Sequence, residues 1–181
     1  MKSIDIKSII IGVLGTILVF VSIGAKSQYE HLSDIVCNSI TVLDNGTGGY
    51  IKISNSGGKQ TSYLGTAENG DGFLSTSNSD GKQTSYLGTA ENGDGFLTTF
   101  NSDGKKTTFL GTAKEGGFGF LTTFNDGKQT TFLGTSEGGS GFLTTFNDGK
   151  QTTFLGTSKG GSGILETFNK HGVMVGYFGS N

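Results

Sequence analysis

The residues of this sequence that could do covalent or metal chemistry are few, and their spacing keeps them apart. His31 and His171 are the only histidines, and Cys37 is the only cysteine. A nucleophilic site needs its nucleophile beside a base, and a metal site needs several converging ligands. No Ser/His/Asp or Cys/His arrangement can be drawn here. No second thiol completes a metal site or an internal disulfide. Cys37 reads as a free thiol near the start of the folded part; the alternative is a disulfide to a neighbouring chain. His171 takes the place of a turn Asp, and His31 belongs to a connector. The sequence therefore predicts a protein that is not an enzyme and holds no cofactor or metal.

Weaker signals repeat along the chain. The loops AENGDGF at 67–73 and 90–96 partly match the calcium-loop pattern D-x-N-x-D-G. Position one is Ala67 or Ala90 instead of Asp, and the acid expected at position twelve is Asn78 or Asn101. Turn chemistry accounts better for their Asn and Gly. Regular Thr on a flat β-face can order water, as in ice binding, but that needs Thr-x-Thr. Here Thr98-Thr99 and Thr122-Thr123 are adjacent, so each pair points to opposite faces. Phe and Tyr stripes could stack on a glycan, although the chain has no Trp.

The elements that carry these residues are repeats. Leu-Gly pairs fall at 64–65, 87–88, 110–111, 133–134 and 155–156. Spacing of this regularity marks a repeat architecture. Each of six units has a first run such as GFLTTFN and a second such as KQTTFLG. Their β-branched and aromatic residues suit strands, and the Gly, Asn and Asp between them suit turns. Residues 40–43 (ITVL) look like half of a preceding unit. Gly is abundant, 33 of 181, yet Phe recurs 14 times on the repeat, which argues for order over disorder. The net charge of −2 offers no basic face for nucleic acid.

The fold class is all-β. The units stack either as an antiparallel meander of hairpins or as a β-solenoid with the Gly-rich stretches as corners. Asp126-Gly127 suits a type I′ turn, and Ser102-Asp103-Gly104 a type I turn closed by a Gly bulge. Plain alternation from these turns pairs Asn125 with Lys128, Thr123 with Thr130 and Leu121 with Phe132 on one face. The other face pairs Phe124 with Gln129, Thr122 with Thr131 and Phe120 with Leu133. The first, joining an aliphatic column to an aromatic one, is the expected core. The second carries an interaction stripe, Phe100, Phe124, Phe146 and Phe168. A single sheet cannot bury its better face alone, so coiling or a homo-oligomer is expected. The divergent last unit, with Val173, Met174, Val175 and Phe178, suits a cap.

The unit N-x-x-G-K-x-x-x-x-L-G, followed by a Gly-rich acidic loop, resembles tandem repeats of uncharacterised bacterial surface and phage-fibre-like proteins. The resemblance covers about 130 residues and implies an extended exterior structure without catalysis. The leader MKSIDIKSIIIGVLGTILVF is similar to leaders of uncharacterised proteins of marine bacteria, which names no function.

Lys2 and Lys7 precede an uncharged apolar run at 9–25. Its 17 residues lie at the short limit for a spanning helix, and the preceding positive charge predicts export of the rest of the chain. It reads as a retained signal anchor or as a signal peptide cleaved near Ala25. Residues 26–39 form a connector and 40–181 the β-repeat domain. The expectation is a membrane-tethered or secreted protein of the cell envelope with a structural or adhesive role. The alternatives are a self-assembling trimer or fibre subunit and a glycan- or ice-binding module.

Overall fold

A computed structural model describes residues 13–14, 35–44, 46, 48–113 and 116–179. The apolar run and most of the connector lie outside the described residues, except Val13 and Leu14, which are helical. Among the described residues no helix is long and apolar enough to cross a membrane. The chain divides into two compact units, Met1–Ile40 and Thr41–Asn181. Among the described residues the second holds twelve strands: β1 (Tyr50–Ser54), β2 (Gln60–Thr66), β3 (Gly72–Ser77), β4 (Gln83–Thr89), β5 (Gly95–Phe100), β6 (Lys106–Thr112), β7 (Gly119–Asn125), β8 (Lys128–Thr135), β9 (Gly141–Asn147), β10 (Lys150–Thr157), β11 (Gly163–Phe168) and β12 (Met174–Gly179).

These strands form one sheet in chain order, every neighbour antiparallel. The fold is a meander. What decides against a solenoid is the Gly-rich stretches, which reverse the chain. Ala67 N–H donates to Asp71 O at 2.8 Å and Gly70 N–H to Ala67 O at 2.9 Å. The loops 90–94, 136–140 and 158–162 close the same way. At the other edge of the sheet, Asp126 and Gly127 have φ of 52° and 78°, the type I′ turn that two-residue hairpins favour. In the three-residue turns an Asn side chain ties the loop: Asn101 Oδ1 accepts from Asp103 N–H at 3.0 Å and Lys105 N–H at 2.9 Å. Residues 40–43 form no strand and are exposed.

The register corrects the plain alternation. Asn125 pairs with Lys128 and Phe124 with Gln129 as expected, but Thr123 then pairs with Thr131, Thr122 with Phe132, Leu121 with Leu133 and Phe120 with Gly134. Thr130 is an extra residue, a β-bulge. The same shift occurs in all six hairpins joined at this edge, and in none of the five joined by the Gly-rich loops. The reason is agreement between the two neighbours of each strand. Leu133 of β8 also pairs with Leu143 of β9. Without the bulge the leucine column would change faces at every hairpin, since a one-residue slip inverts a strand.

Hydroxyls hold the bulge. Thr123 Oγ1 lies 2.7 Å from both Thr130 Oγ1 and Thr131 Oγ1. Thr99 with Thr107 and Thr108, and Thr145 with Thr152 and Thr153, make the same triad at 2.7 Å. Thr76 meets Thr84 and Ser85 likewise. Thr123→Val removes the shared hydroxyl without changing shape, and a net hydrogen bond contributes about 0.5–1.5 kcal/mol. We expect that variant to unfold at lower urea, with a loss of about 1 kcal/mol read from the shift in midpoint.

Candidate interaction surfaces

The bulged register sorts side chains by type. On one face, Ile51, Leu64, Leu74, Leu87, Leu97, Leu110, Leu121, Leu133, Leu143, Leu155 and Leu165 form a single row running strand to strand, each beside the next. The threonine triads flank this row. On the other face stands an unbroken stack of ten rings: Tyr50, Tyr63, Phe73, Tyr86, Phe96, Phe109, Phe120, Phe132, Phe142 and Phe154. Successive centroids are 4.9–5.6 Å apart and successive planes 12–25° apart. The expected core, aliphatic beside aromatic, is therefore absent: the two columns lie on opposite faces. Among the described residues no hydrophobic side chain is fully buried.

The ladder exists because of the glycine two residues after each second-strand ring. Phe132 and Gly134 share a face, and Gly134 is the partner of Phe120. A Cβ at Gly134 would stand 2.7 Å from Phe132 Cε1 and 2.9 Å from Phe120 Cβ. The Phe132 ring thus lies over Gly134 and reaches Phe120 diagonally across the strands. Gly65, Gly111 and Gly156 are covered in the same manner. Under the rings sit small polar side chains. Thr98, Thr122 and Thr144 are 5% exposed, the most buried side chains described. Thr98 Oγ1 donates to Thr108 O at 2.9 Å and Thr122 Oγ1 to Thr131 O at 2.7 Å. Their neighbours Thr99 and Thr123 face the leucine side, so the adjacent threonines do point oppositely.

Phe100, Phe124, Phe146 and Phe168 lie on the ring face, nearer the tight turns, and are half-buried. They stand on alternate strands, about 9.6 Å apart. Among the described residues the stacked pairs all belong to the ladder. Phe100, Phe124 and Phe146 pair with Lys106, Gln129 and Gln151. Lys106 Nζ lies 5.1 Å from the Phe109 centroid and 5.9 Å from that of Phe124, a cation–π bridge between ladder and stripe. Sequence reasoning found the stripe but missed the ladder, because its rings come alternately from first and second strands. The recurring ring-Leu-Gly triplet was the signal that could have found it.

A second row runs along the tight turns. Lys105 Nζ lies 2.7 Å from Asp126 Oδ1, and Lys128 Nζ 2.7 Å from Asp148 Oδ1. Lys82 Nζ donates to Ser102 O at 3.0 Å. Each of these lysines thus reaches the turn of the next unit. Hydrogen bonding first, and then charge, holds Asp126 and Asp148 below the ordinary 3.8 and lifts Lys105 and Lys128 above 10.5. At the opposite edge, Asn69 and Asn92 donate to the carboxylates of Asp71 and Asp94 in their own loops, at 2.7 and 2.6 Å. His171 N–H donates to Asn169 Oδ1 in the last turn. Cys37 is exposed and unpaired with any other cysteine. His31 lies outside the described residues. Among the described residues no three His, Cys, Asp or Glu are grouped to hold a metal ion.

No known protein family and no curated protein matches this chain. The chemistry of the surfaces is therefore read from the geometry. A sugar ring stacks on an aromatic face, and in the ladder the inner rings already cover one another on both sides. The open apolar surface is the leucine row, where Leu64, Leu87, Leu110, Leu133 and Leu155 are 49–53% exposed.

Gly134→Ala forces the Phe132 ring off its stack, and overpacking of this kind costs about 1–3 kcal/mol. Its urea midpoint should fall accordingly. Gly95→Ala, with nothing within 4 Å of its Cβ, should leave the midpoint unchanged or raise it. For the turn pairs, a carboxylate with a depressed pKa stabilises the fold above its unfolded pKa. That contribution is lost as pH falls through the depressed value. NMR titration should place Asp126 and Asp148 below 3.8, and added salt should move both back toward it, since exposed pairs are screened.

Proposed function

We propose that this chain is an exported, membrane-tethered structural protein whose repeat sheet is a non-catalytic scaffold or adhesive element of the cell envelope. The observation that carries this reading is the uninterrupted repetition of both faces. The same leucine, ring and threonine recur from strand to strand, so the surface offers many equal contacts in a row in place of one shaped pocket. Repeats of this kind lengthen a surface without changing its chemistry. The leader supports the location: two lysines ahead of the apolar run at 9–25 orient the remainder outward.

Cys37 is a built-in reporter, because it is the only thiol and it lies after the apolar run. In intact bacterial cells making the full chain, a membrane-impermeant maleimide should label Cys37, and the labelled chain should pellet with membranes. A chain found in the cytosolic fraction and labelled only after lysis would overturn the reading. A labelled chain released to the medium would select the cleaved form over the anchored one.

A further inference from the structure

Among the described residues, the band of the leucine face made by the leucine row and the columns beside it carries no charged side chain; Lys128 and Lys150 lie outside that band, at the tight-turn ends of β8 and β10. The columns of the band are leucine, threonine, serine and glycine, with Ile51, Ile53 and Phe178 at the edges of the sheet. The ring face differs, being interrupted by Lys52, Lys106 and Glu166. The leucine face is also the one that its own side chains leave half uncovered.

The strand glycines mark the same face. Gly65, Gly111, Gly134 and Gly156 are explained by the rings that lie on them. Gly72, Gly95, Gly119, Gly141 and Gly163 are not. They sit on the leucine face, opposite Thr66, Thr89, Thr112, Thr135 and Thr157. A Cβ there would meet nothing closer than 3.9 Å, and none of the five has positive φ. All five are the first residues of their strands, β3, β5, β7, β9 and β11, and a strand glycine not required by its own fold fits a place where another backbone comes close.

We propose that the leucine face of one chain packs on the leucine face of a second copy, making a two-layer β-sandwich homodimer. This deepens the scaffold reading by naming its partner, and rests on it only in taking the sheet as the working part. Three features favour a second copy. A row of leucines about 4.8 Å apart is complemented by a row of the same period set half a step along, and this chain supplies one. Two like-charged copies meet along the threonine–leucine–threonine band without opposing charges, because that band has none; Lys128 and Lys150 lie outside it and reach to Asp148 and to Lys170 O in the next turns. The area suffices: twelve strands span about 50 Å, and the threonine-leucine-threonine width is about 13 Å. That is roughly 650 Å² per copy, or about 1,300 Å² in all, within the range of specific interfaces. The threonine triads have already satisfied one another's hydroxyls, so covering them leaves few polar groups unpaired. A lipid surface fits less well, since the apolar row is one residue wide.

The test uses the full chain in mild detergent with Cys37→Ser, so that each introduced thiol is unique. Thr112→Cys on the leucine face and Gln129→Cys on the ring face are treated with a bis-maleimide of about 10 Å reach, the spacing of packed sheets. Thr112→Cys should yield covalent dimer, and Gln129→Cys at least tenfold less. Adding Leu110→Asp and Leu121→Asp should cut the Thr112 yield tenfold or more with the β circular-dichroism signal kept. Leu110→Thr with Leu121→Thr, gentler on the strands, should cut it severalfold. No dimer from Thr112→Cys, equal yields from both faces, or a yield untouched by the leucine changes overturns the proposal. Dimerisation through 9–25 alone would give equal yields. The location of Cys37 is read separately, so failure of the scaffold reading and failure of the dimer are distinguishable.

Discussion

A sheet one layer thick has no second layer to cover it, so its own side chains must shield the backbone between its strands. In this protein that task falls to aromatic rings laid along the strands. Each second-strand ring tilts over the glycine two residues on and meets a ring from the neighbouring strand. Ring pairs of this kind contribute about 0.5–1.5 kcal/mol each beyond the area they bury. Nine successive contacts therefore reach the order of a small domain's net stability, about 5–15 kcal/mol. The rings also dry the buried threonines beneath them, whose hydroxyls then bond to backbone carbonyls. The stack stops at Phe154, where Ile164 replaces the next first-strand Phe.

The ladder requires that every unit present the same face, and that depends on the bulges. Two kinds of hairpin alternate along the chain, and only one inserts an extra residue. The extra residue is Thr in the first five hairpins and Val175 in the last. Thr suits the position because adjacent hydroxyls on the bulged strand can both reach one hydroxyl across from them. Where the partner is Ile53, the triad is lost, and Thr61 makes only a long contact of 3.4 Å to Ile53 O. The two outermost hairpins are thus the least braced, which accords with their place at the ends of the sheet. The lysine–aspartate pairs add little to this, since exposed pairs are screened and weak. They do align successive turns, which share one rim.

Sorting rings from leucines gives the sheet two unlike surfaces. The ring face is self-covered and half-buried, while the leucine face is open, with an uncharged band along its middle. A stable sheet usually buries one face, and here the chain's own side chains do so for the rings alone. The interest of the protein lies in this asymmetry, because the uncovered face is also the one with unexplained glycines.

The sequence by itself determined the all-β class, the two-strand period and both tight-turn types, since each rests on local chemistry: period, β-branched content, and Asp-Gly at positions of positive φ. It also placed Phe100, Phe124, Phe146 and Phe168 on one face, because they hold the same position in the first strand of successive units, β5, β7, β9 and β11. Tertiary structure alone decided the meander and the register. A loop such as Ser136–Ser140 reads equally as a corner or a reversal until its hydrogen bonds close. A bulge at Thr130 cannot be seen from one hairpin. It is demanded only when Leu133 must face Leu121 on one side and Leu143 on the other. That condition joins three strands, so it lies beyond any reading of one turn at a time.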